Sequence, residues 1–392
     1  MPFFLKEFTI LNRKISFAAF FWSLLAIIAA IIQIKRGVSG YNNYLIFKGV
    51  FWHTIHQTNL FVAHAAEYLD TNHYGPFFGI IIAPFAILEN NIGCFLWCIA
   101  NAAFLFYAVR RLPVSFTKQN IILLIGGLEM MTAIHNTQFN PMLTAWIMLA
   151  YILVKEEKDF WATLFIAAGI LTKLYGIVGL AFFLFSNNKF TFLWSFIMWM
   201  IVLFCLPMII SSPTFIVQCY KDWYNSLVEK NDINTSSVMQ GMTVMRLVKK
   251  TFRVEQIPDI VFLGVAAIMY LLPLLRFKLL KSMSFQLHYL AFLLIGLVIY
   301  SSSAESATFV IAMMGVAIWY ILQDEKKWWA IALLVFALLL TSLSTTDFFP
   351  KFIKVEYVRP YALKALPCFL IWLAIGFTLL TKKFDDIKLV NE

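Results

Sequence analysis

Apolar runs of about 18–20 residues, the length a helix needs to cross a hydrocarbon core, recur from one end of the chain to the other. They predict helices over residues 15–34, 91–109, 119–135, 141–154, 159–173, 175–187, 190–211, 259–276, 284–301, 306–322, 328–345 and 361–381. Lipid offers the backbone no hydrogen-bond partners, so a spanning segment must be a helix or part of a closed barrel. These runs are too long and too evenly apolar for barrel strands. The stretch from Pro76 to Leu88 is apolar but only about 13 residues long, which predicts a re-entrant or interfacial piece. The pattern therefore predicts an all-α, polytopic integral membrane protein with about twelve spans, built as one domain over residues 1–392.

Composition agrees. Hydrophobic residues make up 61% of the 392 and charged residues 13%, against roughly 45–50% and 25% in a soluble domain. The first run follows Lys6, Arg13 and Lys14, but it is too long for a signal-peptide core and no small-residue cleavage site follows, so it is expected to remain as a helix. Five scattered cysteines, Cys94, Cys98, Cys205, Cys219 and Cys368, predict neither a disulfide framework nor a metal site. Cys94 and Cys98 share a helix face, as small residues at helix contacts do.

Charge orients the chain. Lys6, Arg13, Lys14, Arg110, Arg111, Lys118, Lys155, Lys158, Lys189, Arg276, Lys278, Lys281, Lys326, Lys327, Lys382, Lys383 and Lys388 are 17 of the 31 basic residues, and all fall in short segments on one predicted side. The basic-loop bias makes that side cytoplasmic, with both termini, in a plasma (inner) membrane. The net charge of +10 is then a topology signature, and nucleic acid is not an expected partner. Three longer outer segments, 35–75, 212–258 and 346–360, are expected to form the lid of an outward-facing site. Segment 212–258 carries Trp223, Tyr224, Lys230, Arg246, Lys249, Lys250 and Arg253 among apolar positions. That pattern suits helices lying along lipid headgroups, and a solvated amphipathic loop equally well.

Ionisable groups at membrane depth are costly and mark sites. Here charged and amide residues crowd the outer helix ends: Glu67, Asp70, His135, Gln138, Asn140, Lys173, Glu305, Asp347, Lys354, Arg359 and Lys364. A shared membrane level predicts a single cavity opening outward. A transporter would more often hold such groups at the midplane, on broken helices in repeated halves, and no internal repeat is visible. Lys173, in Leu171-Thr172-Lys173-Leu174-Tyr175-Gly176, stands at the tip of two short apolar segments forming a V. It is placed either to neutralise a phosphate as a compact charge or simply to snorkel to the interface. His53 and His56, followed by His64 and His73, lack a helical HExxH or a cysteine partner, so neither metal nor cofactor is predicted. No glycine-rich phosphate loop and no DxD-like acidic pair appears on the cytoplasmic side, which argues against a soluble nucleotide-sugar donor.

The order of several short pieces resembles the membrane-embedded GT-C glycosyltransferases, specifically family 87, the polyprenyl-phosphate-mannose-dependent mannosyltransferases, in the version of the Bacteroidetes. The pieces are Tyr41-Asn42-Asn43-Tyr44-Leu45-Ile46-Phe47, Tyr74-Gly75-Pro76-Phe77, Gln138-Phe139-Asn140, Lys173-Leu174-Tyr175-Gly176 and Ser303-Ala304-Glu305-Ser306. The resemblance implies transfer of a hexose, mannose first, from a polyprenyl-phosphate donor to a glycolipid or glycan acceptor on the outer face, with inversion and no cofactor. A carboxylate would take the acceptor proton, and Lys173 with Arg359 or Lys364 would stabilise the leaving phosphate. Substrate contacts are expected at Asn42, Asn43, Tyr74, His135, Gln138, Asn140, Lys173, Tyr175, Arg359 and Lys364.

The chain departs from its resembled family at the base. Mycobacterial members carry an aspartate just after the first helix, where Asn42 and Asn43 stand here, and a histidine motif before a late helix, where Glu305 stands. Glu305 is thus the leading candidate base, with Asp70 and Glu67 behind it, while a plain helix cap is the alternative role for Glu305. A lipid-linked oligosaccharide flippase, a polysaccharide polymerase or ligase, and an inactive family member are the rival readings.

Overall fold

The computed structural model of the chain describes residues 7–10, 13–236, 241–323 and 327–384. An N-terminal hairpin pairs β1 (Glu7–Ile10) antiparallel with β2 (Arg13–Ser16). All other regular structure among these residues is helical. In chain order the helices are α1 (Phe17–Lys35), α2 (Asn42–His56), α3 (Phe78–Ala86), α4 (Asn90–Arg111), α5 (Phe116–His135), α6 (Asn140–Lys155), α7 (Asp159–Lys173) and α8 (Lys189–Cys205). They continue with α9 (Pro213–Ser236), α10 (Val244–Phe252), α11 (Asp259–Leu274), α12 (Met283–Ile299), α13 (Phe309–Ile321), α14 (Trp328–Phe336), α15 (Lys351–Ile353) and α16 (Ala365–Thr381). A 3₁₀ helix, Tyr175–Leu184, follows α7.

Polar caps set several boundaries. The Glu89 carboxylate accepts from the amides of Asn91 and Ile92 at the start of α4, and Asn188, Thr243 and Ser282 open α8, α10 and α12 in the same way.

All twelve predicted apolar segments coincide with helical structure, and four helices among the described residues are long and apolar enough to cross a membrane: Phe17–Lys35, Asn90–Arg111, Lys189–Ile209 and Trp328–Thr345. The expected count of twelve crossings does not follow from the helix lengths. Most of the others are shorter, and α5, though 20 residues long, carries Lys118, Gln119, Asn120 and Glu129. The Pro76–Leu88 stretch contains the nine-residue α3, about 14 Å long and unable to span a core of about 30 Å. On α1, Phe20, Leu24, Ile27, Ile28 and Ile31 are exposed while Ala18, Trp22, Ala26, Ala29 and Ala30 are buried. A helix with an apolar exposed face beside a small-residue buried face is suited to lipid on one side and protein on the other.

The chain falls into two compact units, one of residues 1–22, 113–130 and 233–392, the other of residues 23–112 and 131–232. In the first, α12 and α13 are buried nearly all round. They approach closely enough that a Cβ on Gly315 would stand 2.7 Å from the Ala291 carbonyl oxygen, and Trp372 of α16 stacks on Phe292 at 4.5 Å. In the second, α6 is buried from Asn140 through Ile152. Phe47, Phe78, Trp97 and Phe139 interlock there at centroid distances of 5.1 to 6.1 Å. This aromatic cluster is the floor on which the polar residues of the second unit stand.

Candidate active site

In the second unit the site begins at the V. Leu174 adopts a left-handed backbone, φ +54°, and turns α7 into the 3₁₀ helix. The two arms touch at glycine: a Cβ on Gly176 would lie 2.6 Å from the carbonyl carbon of Gly169 and from the nitrogen of Ile170. At the end of the first arm Lys173 Nζ donates to Asn140 Oδ1 at 2.8 Å. The ammonium also lies over the rings of Tyr74 at 5.5 Å and Tyr175 at 5.2 Å, close enough for cation–π attraction.

The neighbouring groups are held from below. Trp97 in the aromatic cluster donates through Nε1 to the Thr137 carbonyl at 2.9 Å. Thr137 is itself left-handed, φ +48°, and this turn delivers Gln138 and the first residue of α6, Asn140. Tyr74 donates to Gln138 Oε1 at 3.2 Å, and the Gly75 amide donates to the Thr172 carbonyl at 3.0 Å. Tyr74, Gln138, Asn140, Lys173 and Tyr175, drawn from three separate stretches of sequence, therefore form one cluster.

Asp70 belongs to the same unit. Its backbone is left-handed, φ +76°, a conformation uncommon outside glycine that aspartate tolerates better than most residues. Its carboxylate lies 4.0 Å from Lys230 Nζ and is well exposed. Helix α9 holds the 70–73 segment with one face: Trp223 donates to the His73 carbonyl at 2.9 Å, Ser226 Oγ sits 2.9 Å from His73 Nδ1, and Lys230 meets Asp70. Burial, assisted by the positive charge of Lys230, lowers the His73 pKa to about 4, so this imidazole is neutral at physiological pH.

Asn42 does structural work. Its side-chain amide donates to the Leu69 carbonyl and accepts from the Leu69 amide, both at 2.8 Å, and so fixes the residue next to Asp70. An aspartate could supply only the accepting half. Asn43 donates to the Asn136 carbonyl at 2.9 Å, and His135 Nδ1 is 2.6 Å from Gln33 Nε2. Glu67 is drawn to His53, Oε2 to Nε2 at 3.0 Å. Burial lowers the His53 pKa, an effect that Glu67 partly opposes.

The remaining candidates lie in the first unit. Glu305 stands before the 3₁₀ turn Ser306–Thr308 in a capping box, its carboxylate accepting from the Thr308 amide while the Thr308 hydroxyl accepts from the Glu305 amide. Lys364 is fully buried, donating to Glu129 Oε1 at 2.9 Å and to the hydroxyl and carbonyl of Ser306 at 2.9 and 3.1 Å. Arg359 follows the π-helical turn Lys354–Val358 and is partly exposed.

The profile of glycosyltransferase family 87 matches residues 72–343, well over half of the chain. The chain belongs to glycosyltransferase family 87. A family 87 chain with apolar, membrane-length helices is a membrane glycosyltransferase, acting on a sugar donor and an acceptor in the membrane. No curated protein matches it. The family match takes in Tyr74, His135, Gln138, Asn140, Lys173, Tyr175 and Glu305, whereas Asn42, Asn43, Glu67, Asp70, Arg359 and Lys364 lie outside it.

Two charged residues of this family 87 chain escaped the sequence reading. Lys230 was visible only as part of an amphipathic segment, although Trp223, Ser226 and Lys230 repeat at i, i+3 and i+7 and so share a helix face. Glu129 sits inside an apolar run and had no legible partner, because Lys364 lies 235 residues away.

Proposed function

We propose that this family 87 enzyme transfers a hexose, with mannose the first candidate, from a polyprenyl-phosphate donor to a hydroxyl of a glycolipid or glycan acceptor. The reaction takes place at the outer face of the plasma membrane, with both termini cytoplasmic. The observation that carries this reading is the combination, within one unit, of the exposed Asp70 carboxylate beside Lys230 and the Lys173–Asn140–Tyr74–Tyr175 cluster. A carboxylate and convergent lysines supply the two things such a transfer needs.

The acceptor oxygen attacks the anomeric carbon from the face opposite the phosphate. Its proton passes to the Asp70 carboxylate, the bond from the anomeric carbon to the phosphate oxygen breaks, and polyprenyl phosphate leaves with the bonding pair. Lys173, held by Asn140, and Lys230 offset the charge that grows on the departing phosphate. Asp70, although one of its oxygens accepts from the Thr71 amide, is preferred to Glu305 because it is well exposed and lies in the same unit as the Lys173 cluster, whereas Glu305 caps a helix turn in the other unit. Glu305 is the second reading, favoured by its position within the family match.

Transfer of labelled sugar from synthetic polyprenyl-phosphate hexoses to lipid acceptors extracted from the host tests both. Asp70→Asn should lower transfer by roughly 10²–10⁴-fold, the usual worth of a general base, and Glu305→Gln should leave most of it. The reverse result hands the base to Glu305. No transfer from any polyprenyl-phosphate sugar by folded protein would overturn the donor assignment and favour a flippase or an inactive chain.

A further inference from the structure

We propose that His53, His64 and Glu67 form a binding site for one zinc-like divalent metal ion, tying the end of α2 to the loop that carries Asp70. Each residue offers one ligand atom, and these atoms all lie within 4.8 Å of one another. The chain brings them together by two local devices. Gln57 turns left-handed after α2, and the Thr58 amide bonds back to the His53 carbonyl at 2.9 Å, which reverses the chain. The Glu67 amide then bonds to the His64 carbonyl at 2.8 Å, closing a turn that carries both residues.

The outer nitrogens of the two imidazoles are already occupied. His64 Nε2 is 2.8 Å from the Asn59 carbonyl, which leaves Nδ1 as the ligating nitrogen. His53 Nε2 is directed at Glu67 Oε2, while its Nδ1 faces the Tyr68 hydroxyl at 3.5 Å. A ring nitrogen held by a backbone carbonyl or hydroxyl, with the other left to ligate, is the outer-shell arrangement that orients metal-binding histidines. The two rings are tilted against each other with centroids 3.9 Å apart.

Zinc bound at about 2.0–2.1 Å in tetrahedral geometry holds its ligand atoms roughly 3.3 Å apart. The His53–Glu67 pair, at 3.0 Å, already meets that span. With all three ligand atoms within 4.8 Å of one another, no pair has to draw in by more than about 1.5 Å on the same geometry, within reach of side-chain rotation. Two imidazoles and one carboxylate suit zinc and its neighbours rather than magnesium or calcium, which prefer oxygen alone. His53 is nearly buried while the Glu67 side chain is 55% exposed, so the ion has an approach from solvent and room for a water as fourth ligand. Its role is that of a clasp: Glu67 is three residues before Asp70, and Tyr68 between them packs against Gly49 of α2.

The test uses the full chain in detergent, purified without a polyhistidine tag and stripped with chelator, then titrated with zinc against a chromophoric competitor and, separately, with cobalt. One equivalent should bind, with the intense visible absorption of low-coordinate cobalt. His64→Ala and Glu67→Gln should each weaken binding at least tenfold, whereas His56→Ala should not. Glu67→Gln alters an exposed group, so its size-exclusion profile and metal-free unfolding temperature should match the parent and keep a loss of binding interpretable. Absence of a bound equivalent in the parent chain, or binding undiminished by both substitutions, would overturn the site.

Discussion

Lys364 Nζ lies 2.9 Å from Glu129 Oε1, and neither side chain retains any solvent exposure. The same ammonium donates to Ser306 twice and lies 4.9 Å from the ring centre of Phe309, so one cation joins α5, the residue before α16 and the turn that follows Glu305. An ion pair removed from water gains little over apolar residues of the same size, but a partner left alone is costly. Glu129→Gln should therefore lower stability by about 3–5 kcal/mol, read as a fall in unfolding temperature in detergent. The double substitution Glu129→Leu with Lys364→Met should recover most of it. A single variant as stable as the parent would show that the pair does not hold this segment.

His73 predicts a pH dependence. Its pKa falls from 6.5 in the unfolded chain to about 4 in the folded one, first through burial and then through Lys230. Between those values the unfolded chain binds the proton more readily, so stability should be unaffected above about pH 6.5, decline as pH drops toward 4, and then level off. The ceiling on the loss is roughly 3 kcal/mol. Replacing His73 with Gln should flatten unfolding temperature against pH in that window, and an unchanged slope would assign the dependence to another group.

Gly176→Ala should damage the enzyme from a distance. The new methyl group meets Gly169 and Ile170 backbone at 2.6 Å, where no side chain can yield, and overpacking of this kind costs typically 1–3 kcal/mol. Because Lys173 ends the arm that this contact packs against the 3₁₀ helix, transfer should fall together with unfolding temperature. Gly264→Ala, where a Cβ meets nothing within 4 Å, is the matched control and should be neutral or slightly stabilising.

Asn42→Asp introduces an aspartate at one of the two positions, Asn42 and Asn43, where the resembled mycobacterial enzymes carry one, yet it should not help here. The substitution keeps the bond from the Leu69 amide and loses the one to its carbonyl, setting a carboxylate against that oxygen instead. A local loss of about 1 kcal/mol is expected, visible as faster hydrogen exchange in peptides covering residues 57–75. Unchanged exchange would mean that the clamp is dispensable.

The helical class and the position of every apolar segment were legible in the sequence, because hydrocarbon-length runs leave the backbone only one way to satisfy its own hydrogen bonds. The pieces that hold Tyr74, Gln138, Asn140 and Tyr175 stood out in the sequence through the family resemblance, but their meeting around Lys173 was not legible, because three separate stretches converge there only in the folded chain. Helix number in the membrane was less legible, because apolar composition does not distinguish a helix with an exposed apolar face, such as α1, from one enclosed by protein, such as α6.

What only the tertiary structure decided are the partnerships of charge. Glu129 with Lys364, Asp70 with Lys230 and Glu67 with His53 join residues that no periodicity links. The reason is physical: burial of apolar surface is summed along a segment and can be read from it, whereas a charge withdrawn from water is tolerated only by a specific partner at a specific distance, and that distance exists only once the chain has folded.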